Sequence, residues 1–150
     1  MPRIRNDKNN NYNDKKRVLI VDDEPDLCTV LKMVLEDNGF EANSFEDPSL
    51  ALKNFKADSF DLVLLDIKMP EMDGFQLYRK MKEIDSKVKV CFLTASELYY
   101  EGVRKESFCK EDKVDKELFL AKPIENEDLV NQINKIMSSN ISEDQDNSIT

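Results

Sequence analysis

A chain of 150 residues has room for one domain with a packed core, and 40% hydrophobic with 35% charged residues is the balance of a folded, water-exposed globule. A net charge of −9 argues against general nucleic-acid binding, which needs a basic face to displace counterions. The absence of histidine excludes a histidine phosphodonor, a histidine-based triad and a histidine-containing zinc site, leaving carboxylates, hydroxyls, lysine and cysteine for any chemistry.

Residues 1–15 are rich in Asn, Lys and Asp without apolar periodicity and read as a disordered basic tail. They hold no apolar segment of the kind a secretory signal requires, and no run in the chain approaches membrane-spanning length. A cytoplasmic location without membrane contact is therefore expected. Val18–Val21 is a short continuous apolar run, as in a strand buried on both faces. Leu27, Val30, Leu31, Val34 and Leu35 follow at the spacing of an amphipathic helix, which Gly39 ends. Cys28 lies in this helix. With Cys91 and Cys109 it makes an odd count inside apolar or helical segments, which fits a reducing compartment and buried thiols without disulfides.

A weaker strand over 40–45 alternates and suits a sheet edge. Asp47-Pro48 opens a second helix, expected to run to about Ala57. Residues 61–65 form a second buried run that ends at Asp66. Beyond a loop, Asp73 can cap a third helix with Leu77, Met81 and Ile84 on one face. Residues 88–93 are a fourth strand ending at Thr94, and a charged helical stretch leads to a fifth strand over 118–121. In that stretch Arg104, Lys105, Glu106, Lys110, Glu111, Asp112 and Lys113 alternate in sign, as on a solvated helix face. The last helix carries Leu129, Val130, Ile133, Ile136 and Met137 on one stripe behind an acidic first turn. Residues 139–150 read as a short acidic disordered tail, which leaves 16–138 as the folded domain.

Five β–α units in strict alternation predict an α/β fold: a doubly wound, flavodoxin-like (βα)5 sheet of five parallel strands in the order 2-1-3-4-5. In such sheets ligands bind beyond the carboxyl ends of the strands, where strand order reverses. Strand 1 ends in Asp22-Asp23, strand 3 in Asp66, strand 4 in Thr94 and strand 5 in Lys122-Pro123. Each alone has an ordinary explanation: a helix cap, a turn former, a strand end, a surface lysine. Together they place three carboxylates, a hydroxyl and an ammonium on one edge. Carboxylates so crowded raise one another's pKa unless a cation compensates, and Mg²⁺ with oxygen ligands resolves the conflict. A carboxylate beside Mg²⁺ can attack phosphorus.

The stretches VLIVDDEP, LVLLDIKMPEMDGFQL, FLTAS and FLAKPI together resemble the signatures of the receiver domain of two-component response regulators, in its stand-alone, chemotaxis-regulator-like form. The resemblance implies that Asp66 accepts the phosphoryl group, aided by Lys122 and Thr94. It implies a Mg²⁺ site (Mn²⁺ as substitute) made by Asp23, Asp22, Asp66 and the backbone carbonyl of Lys68. Thr94 and Phe119 would be the switch pair and Lys122–Pro123 a cis peptide. The phosphoryl group would come from a histidine kinase or phosphotransfer protein, and the signal would leave to a downstream protein through the helix 4–strand 5–helix 5 face. Such a domain assists its own phosphotransfer and dephosphorylation but is not a multi-substrate enzyme. The chain departs from the family in a longer stretch between Thr94 and Lys122, reading KESFCKEDKVDKELF before strand 5, which touches partner choice and not chemistry.

Three alternatives share parts of this pattern. A phosphohydrolase of the haloacid dehalogenase type needs an Asp-x-Asp pair after strand 1, whereas Asp22 and Asp23 are adjacent and Glu24 follows. A flavodoxin needs a neutral loop there for its flavin phosphate, which this acidic one would repel. A degenerate receiver, acting only as a protein-binding module, would lack some of the competent residues, and all are present.

Overall fold

The computed structural model describes residues 15–95 and 118–138. Nearly all of the two expected tails, the charged stretch 103–116, the fourth predicted helix and Cys109 lie outside them. The described chain alternates strands and helices: β1 (Arg17–Val21), α1 (Pro25–Asp37), β2 (Glu41–Phe45), α2 (Pro48–Lys53), β3 (Leu62–Asp66), α3 (Gly74–Ile84), β4 (Lys89–Thr94), β5 (Phe119–Ala121) and α4 (Asn126–Ser138). All strand pairs are parallel, in the order β2-β1-β3-β4-β5.

Alternation along the strands divides the core in two. Leu19, Val21, Val63, Leu65 and Phe92 face α2 and α3, meeting Ala51, Leu77 and Met81. Val18, Ile20, Leu62, Leu64 and Leu93 face α1 and α4, meeting Leu31, Leu35, Leu129 and Ile133. A strand covered on both faces has no polar side to show, which is why β3 is buried throughout. β2, at an edge, is only partly covered, with Ala42 buried and Asn43 exposed.

The helix boundaries follow local chemistry. Pro25 opens α1, where its missing N–H costs nothing, and Gly39 takes φ +90° just beyond its end. The buried stripe of α1 runs through Cys28, Leu31 and Leu35; Val30, expected on it, is 48% exposed because the inward face centres one position to the side. Asp47 caps α2 by accepting from the Ser49 N–H at 2.9 Å. That helix ends at Lys53, four residues before the expected end. Asn54 closes it by donating its side-chain amide to the Leu50 carbonyl, and Phe55 then turns into the core. Asp73 and Gln76 form a reciprocal capping box at the start of α3. Leu77 and Met81 are buried on α3, but Ile84 is 41% exposed. It is the last residue of the helix, and Asp85 folds inward in its stead, accepting from the Asp58 and Lys87 N–H groups. On α4 the expected stripe holds, with Leu129, Ile133 and Ile136 buried. Cys28 and Cys91 are buried free thiols, pushed up to about 11 and about 12 by burial. No helix among the described residues is long and apolar enough to cross a membrane.

Candidate functional site

The strand order puts β1 beside β3 and sends β2 and β4 to opposite sides of that pair, so the crevice opens at their carboxyl ends. Asp22 and Asp23 leave β1 there, and Asp66 ends β3. Carboxylate oxygens of Asp22, Asp23 and Asp66 all lie within 4.8 Å of one another. Asp22 is fully buried, Asp66 nearly so, and Asp23 is exposed.

Local backbone bonds hold these groups in place. The Asp22 N–H donates to the Phe45 carbonyl across to β2, and Asp22 Oδ1 accepts from the Glu24 N–H at 2.9 Å. Cys28 Sγ donates to the Asp22 carbonyl at 3.2 Å. Behind Asp66, the Ile67 N–H reaches the Leu93 carbonyl on β4, and the Gly74 N–H returns to the Ile67 carbonyl at 2.9 Å. This bond draws the start of α3 against the end of β3. A Cβ at Gly74 would collide with the Asp66 carbonyl oxygen, so only glycine allows the approach. Between Ile67 and Gly74 the loop turns through Glu71 at φ +69°, and Lys68 sits in it two residues beyond Asp66.

From the other side, Lys122 follows β5 and is joined to Pro123 by a cis peptide. Its N–H donates to the Thr94 carbonyl at 2.8 Å, tying the ends of β4 and β5 together. Its Nζ stands 3.0 Å from Asp22 Oδ2, 3.4 Å from Asp66 Oδ1 and 3.6 Å from Glu24 Oε1. Thr94, at the end of β4, is 2% exposed. Phe119 pairs in register with Phe92, two residues before Thr94, and its ring packs 5.3 Å from Phe92 and 6.2 Å from Phe75.

One ammonium does not balance this many carboxylates. Burial and the neighbouring Asp22 push Asp66 up to about 7, against the opposing pull of Lys122. Asp22 is also raised, chiefly by burial, which outweighs its Glu24 hydrogen bond and Lys122. Burial would lower Lys122, but its pairing with Asp22 and Asp66 prevails and holds it above its usual value. Asp22 Oδ2 is buried, and its one close polar partner is the Lys122 ammonium at 3.0 Å, which it shares with Asp66 and Glu24. A buried carboxylate oxygen left so, among three hard oxygen donors, is the environment a Mg²⁺ ion fits.

The site therefore brings together Asp22, Asp23, Asp66 and Lys122, with Thr94 on the adjoining strand end and Phe119 behind it. Two contributors were not read from sequence. Glu24 joins the carboxylates around Lys122, and the run of three acids before Pro25 was its only signal. Gly74 carries the close approach to Asp66; a glycine at the first position of a helix, where it weakens the helix, was the clue.

Residues 18–134 match the model of the response regulator receiver domain. The chain is 35% identical over 123 residues to the response regulator receiver protein CpdR of Brucella abortus, covering 81% of this chain and 97% of that protein. It is 28% identical to the transcriptional regulatory protein RprY of Bacteroides fragilis, covering 83% of this chain but only 50% of that one. Among solved structures, the response regulator protein TrrA of Thermotoga maritima, in complex with Mg²⁺–BeF, superposes with a TM-score of 0.67 at 30% identity, covering 81% of this chain and 98% of that one.

Proposed function

We propose, from the premise that this chain belongs to the response regulator receiver domain family, that it is a phosphorylation switch whose acceptor is Asp66. Receiver domains are signalling switches of two-component systems. The observation that carries the reading is the meeting of Asp22, Asp23 and Asp66 within 4.8 Å, with Lys122 Nζ 3.4 Å from Asp66.

Asp66 supplies the nucleophile. One of its carboxylate oxygens forms a bond to phosphorus while the phosphorus–nitrogen bond of a donor phosphohistidine breaks, and the departing imidazole keeps the electron pair and takes up a proton. The chain has no histidine, so the donor is a separate protein, a histidine kinase or phosphotransfer protein. Asp22, Asp23 and Asp66 would hold Mg²⁺, or Mn²⁺ in its place, with the Lys68 backbone carbonyl as a further oxygen donor. Bound there, the ion would supply charge neutralisation at the transferring phosphoryl group. Support for it comes from the Mg²⁺–BeF complex of the TrrA relative and from the buried Asp22 Oδ2, which has one ammonium shared with Asp66 and Glu24 as its partner. Lys122 pairs with the phosphoryl oxygens, and the Thr94 hydroxyl donates to one of them.

The output is a protein contact. With a net charge of −9, the chain is read by a downstream protein and not by nucleic acid, at the face around β5 and α4. The domain assists its own phosphotransfer and dephosphorylation and turns over no further substrate. Intact mass after incubation with a small phosphodonor and Mg²⁺ tests the proposal. The wild type gains one phosphoryl group and Asp66→Asn gains none, since an amide is a poor nucleophile. An unchanged gain in the variant would remove Asp66 from this role.

A further inference from the structure

Glu24 is a further carboxylate beside Lys122, and the phosphoryl transfer described above leaves it without a task. It is the N-cap residue of α1, extended at φ −101° and ψ 107°, yet its side chain makes no cap hydrogen bond. The favoured caps are short side chains that fold back on the helix, and glutamate is not among them. The Asp22 carboxylate fixes its backbone, accepting from the Glu24 N–H at 2.9 Å. The Glu24 carboxylate itself stands 3.6 Å from Lys122 Nζ, which is 3.4 Å from Asp66 Oδ1. The Glu24 and Asp66 oxygens are thus no more than about 7 Å apart, a range over which unit charges interact appreciably. The Glu24 side chain is 62% exposed and that of Asp66 6%, so Glu24 lies on the solvent side of Lys122 and Asp66 on the buried side.

We propose that Glu24 sets the donor preference of the Asp66 site, disfavouring dianionic free phosphodonors such as acyl phosphates relative to phosphorus–nitrogen donors that carry a protonated nitrogen. The inference rests on Asp66 being the acceptor. With either donor an Asp66 oxygen bonds to phosphorus. Acetyl phosphate breaks its phosphorus–oxygen bond and releases acetate with the electron pair. Phosphoramidate breaks its phosphorus–nitrogen bond and releases ammonia, whose protons are already on the nitrogen. The two differ in the charge they bring: acetyl phosphate arrives as a dianion, phosphoramidate as a net monoanion. Glu24 repels the additional charge and occupies part of the Lys122 field that would otherwise attract it. At about 7 Å in water, one unit charge against another is worth roughly a factor of three in rate, and more at the lower dielectric of a crevice. Glu24 acts on the approaching donor and not on the bond-making atoms, which makes it a specificity residue.

The test uses the full-length protein at saturating Mg²⁺ and low ionic strength, and reads the second-order rate of phosphoryl gain from each donor by intact mass. Glu24→Gln should raise the acetyl phosphate rate roughly threefold more than the phosphoramidate rate. Glu24→Lys should move the ratio by about the same factor again. Asp37→Asn removes the same charge from the far end of α1, about 20 Å along the helix, and should leave the ratio as in wild type. At 0.5 M salt, where the Debye length is roughly 4 Å, the change in ratio should fall by more than half. Equal gains with both donors, an equal shift in Asp37→Asn, or a change that high salt leaves intact would each overturn the proposal. The switch reading survives all three so long as Asp66 is the residue modified, whereas a wild type that gains phosphate from neither donor would defeat both.

Discussion

Asp66 is a carboxyl group the fold holds at an electrostatic disadvantage until a cation arrives. It titrates near 3.8 in a model peptide and is pushed up to about 7 here, first by burial and next by Asp22. Between those values the folded protein binds a proton that the unfolded chain has released, so metal-free stability falls as pH rises through this window and the loss is complete above it. Asp66→Asn removes the ionisation. Urea unfolding at pH 8 should find the metal-free variant more stable than wild type by about 3 kcal/mol, with the gap less than half as large at pH 5. Equal gaps at both pH values would contradict the electrostatic account. If the proposed site takes Mg²⁺, the same disadvantage makes the ion stabilising: at ten times its dissociation constant it should add about 1.4 kcal/mol by mass action and raise the melting temperature. Asp23→Ala should weaken that response, and a wild-type melting curve indifferent to millimolar Mg²⁺ would count against the site.

At the scale of elements, the strands were legible because a parallel sheet covered on both faces needs unbroken apolar runs, and Val18–Val21, Leu62–Leu65 and Val90–Leu93 are such runs. The site was legible for a related reason: polar residues that break off an apolar run mark where a strand leaves the core, and Asp22, Asp66 and Thr94 all do so at one edge. The helix ends were less legible. Nothing in periodicity says that Asn54 will bond its own last turn and stop α2, or that Asp85 will be buried where Ile84 is not. The pairing of β4 with β5 also bears on signalling. Thr94 stands level with Ala121, which puts Phe119 two residues behind on the same face, packed against Phe92. If the Thr94 hydroxyl moves toward a phosphoryl group on Asp66, the Phe119 ring is placed to follow. Thr94→Ala should accept phosphate yet leave the Phe119 ring resonances near their unphosphorylated positions. Ring shifts as large as in phosphorylated wild type would show that Thr94 does not couple the two.

On the scale of the whole molecule, the two ends of the sheet differ in charge, the carboxyl ends being dominated by carboxylates and the amino ends mixed. The carboxyl ends of the strands gather Asp22, Glu24 and Asp66 around Lys122 with Asp23 beside them, while the amino ends mix Lys16, Arg17, Lys56, Lys87 and Lys89 with Asp58, Asp61 and Asp85. The proposed chemistry is assigned to the acidic end because, among the described residues, buried carboxylates, an ammonium and a strand-end hydroxyl converge there. The most direct test of that assignment locates the modified atom itself. Borohydride reduces an acyl phosphate to an alcohol, so protein treated with phosphodonor and Mg²⁺, reduced and mapped by peptide mass spectrometry should carry homoserine at position 66 and nowhere else. Homoserine at position 22 or 23, or none in a protein that has gained a phosphoryl group, would contradict the account.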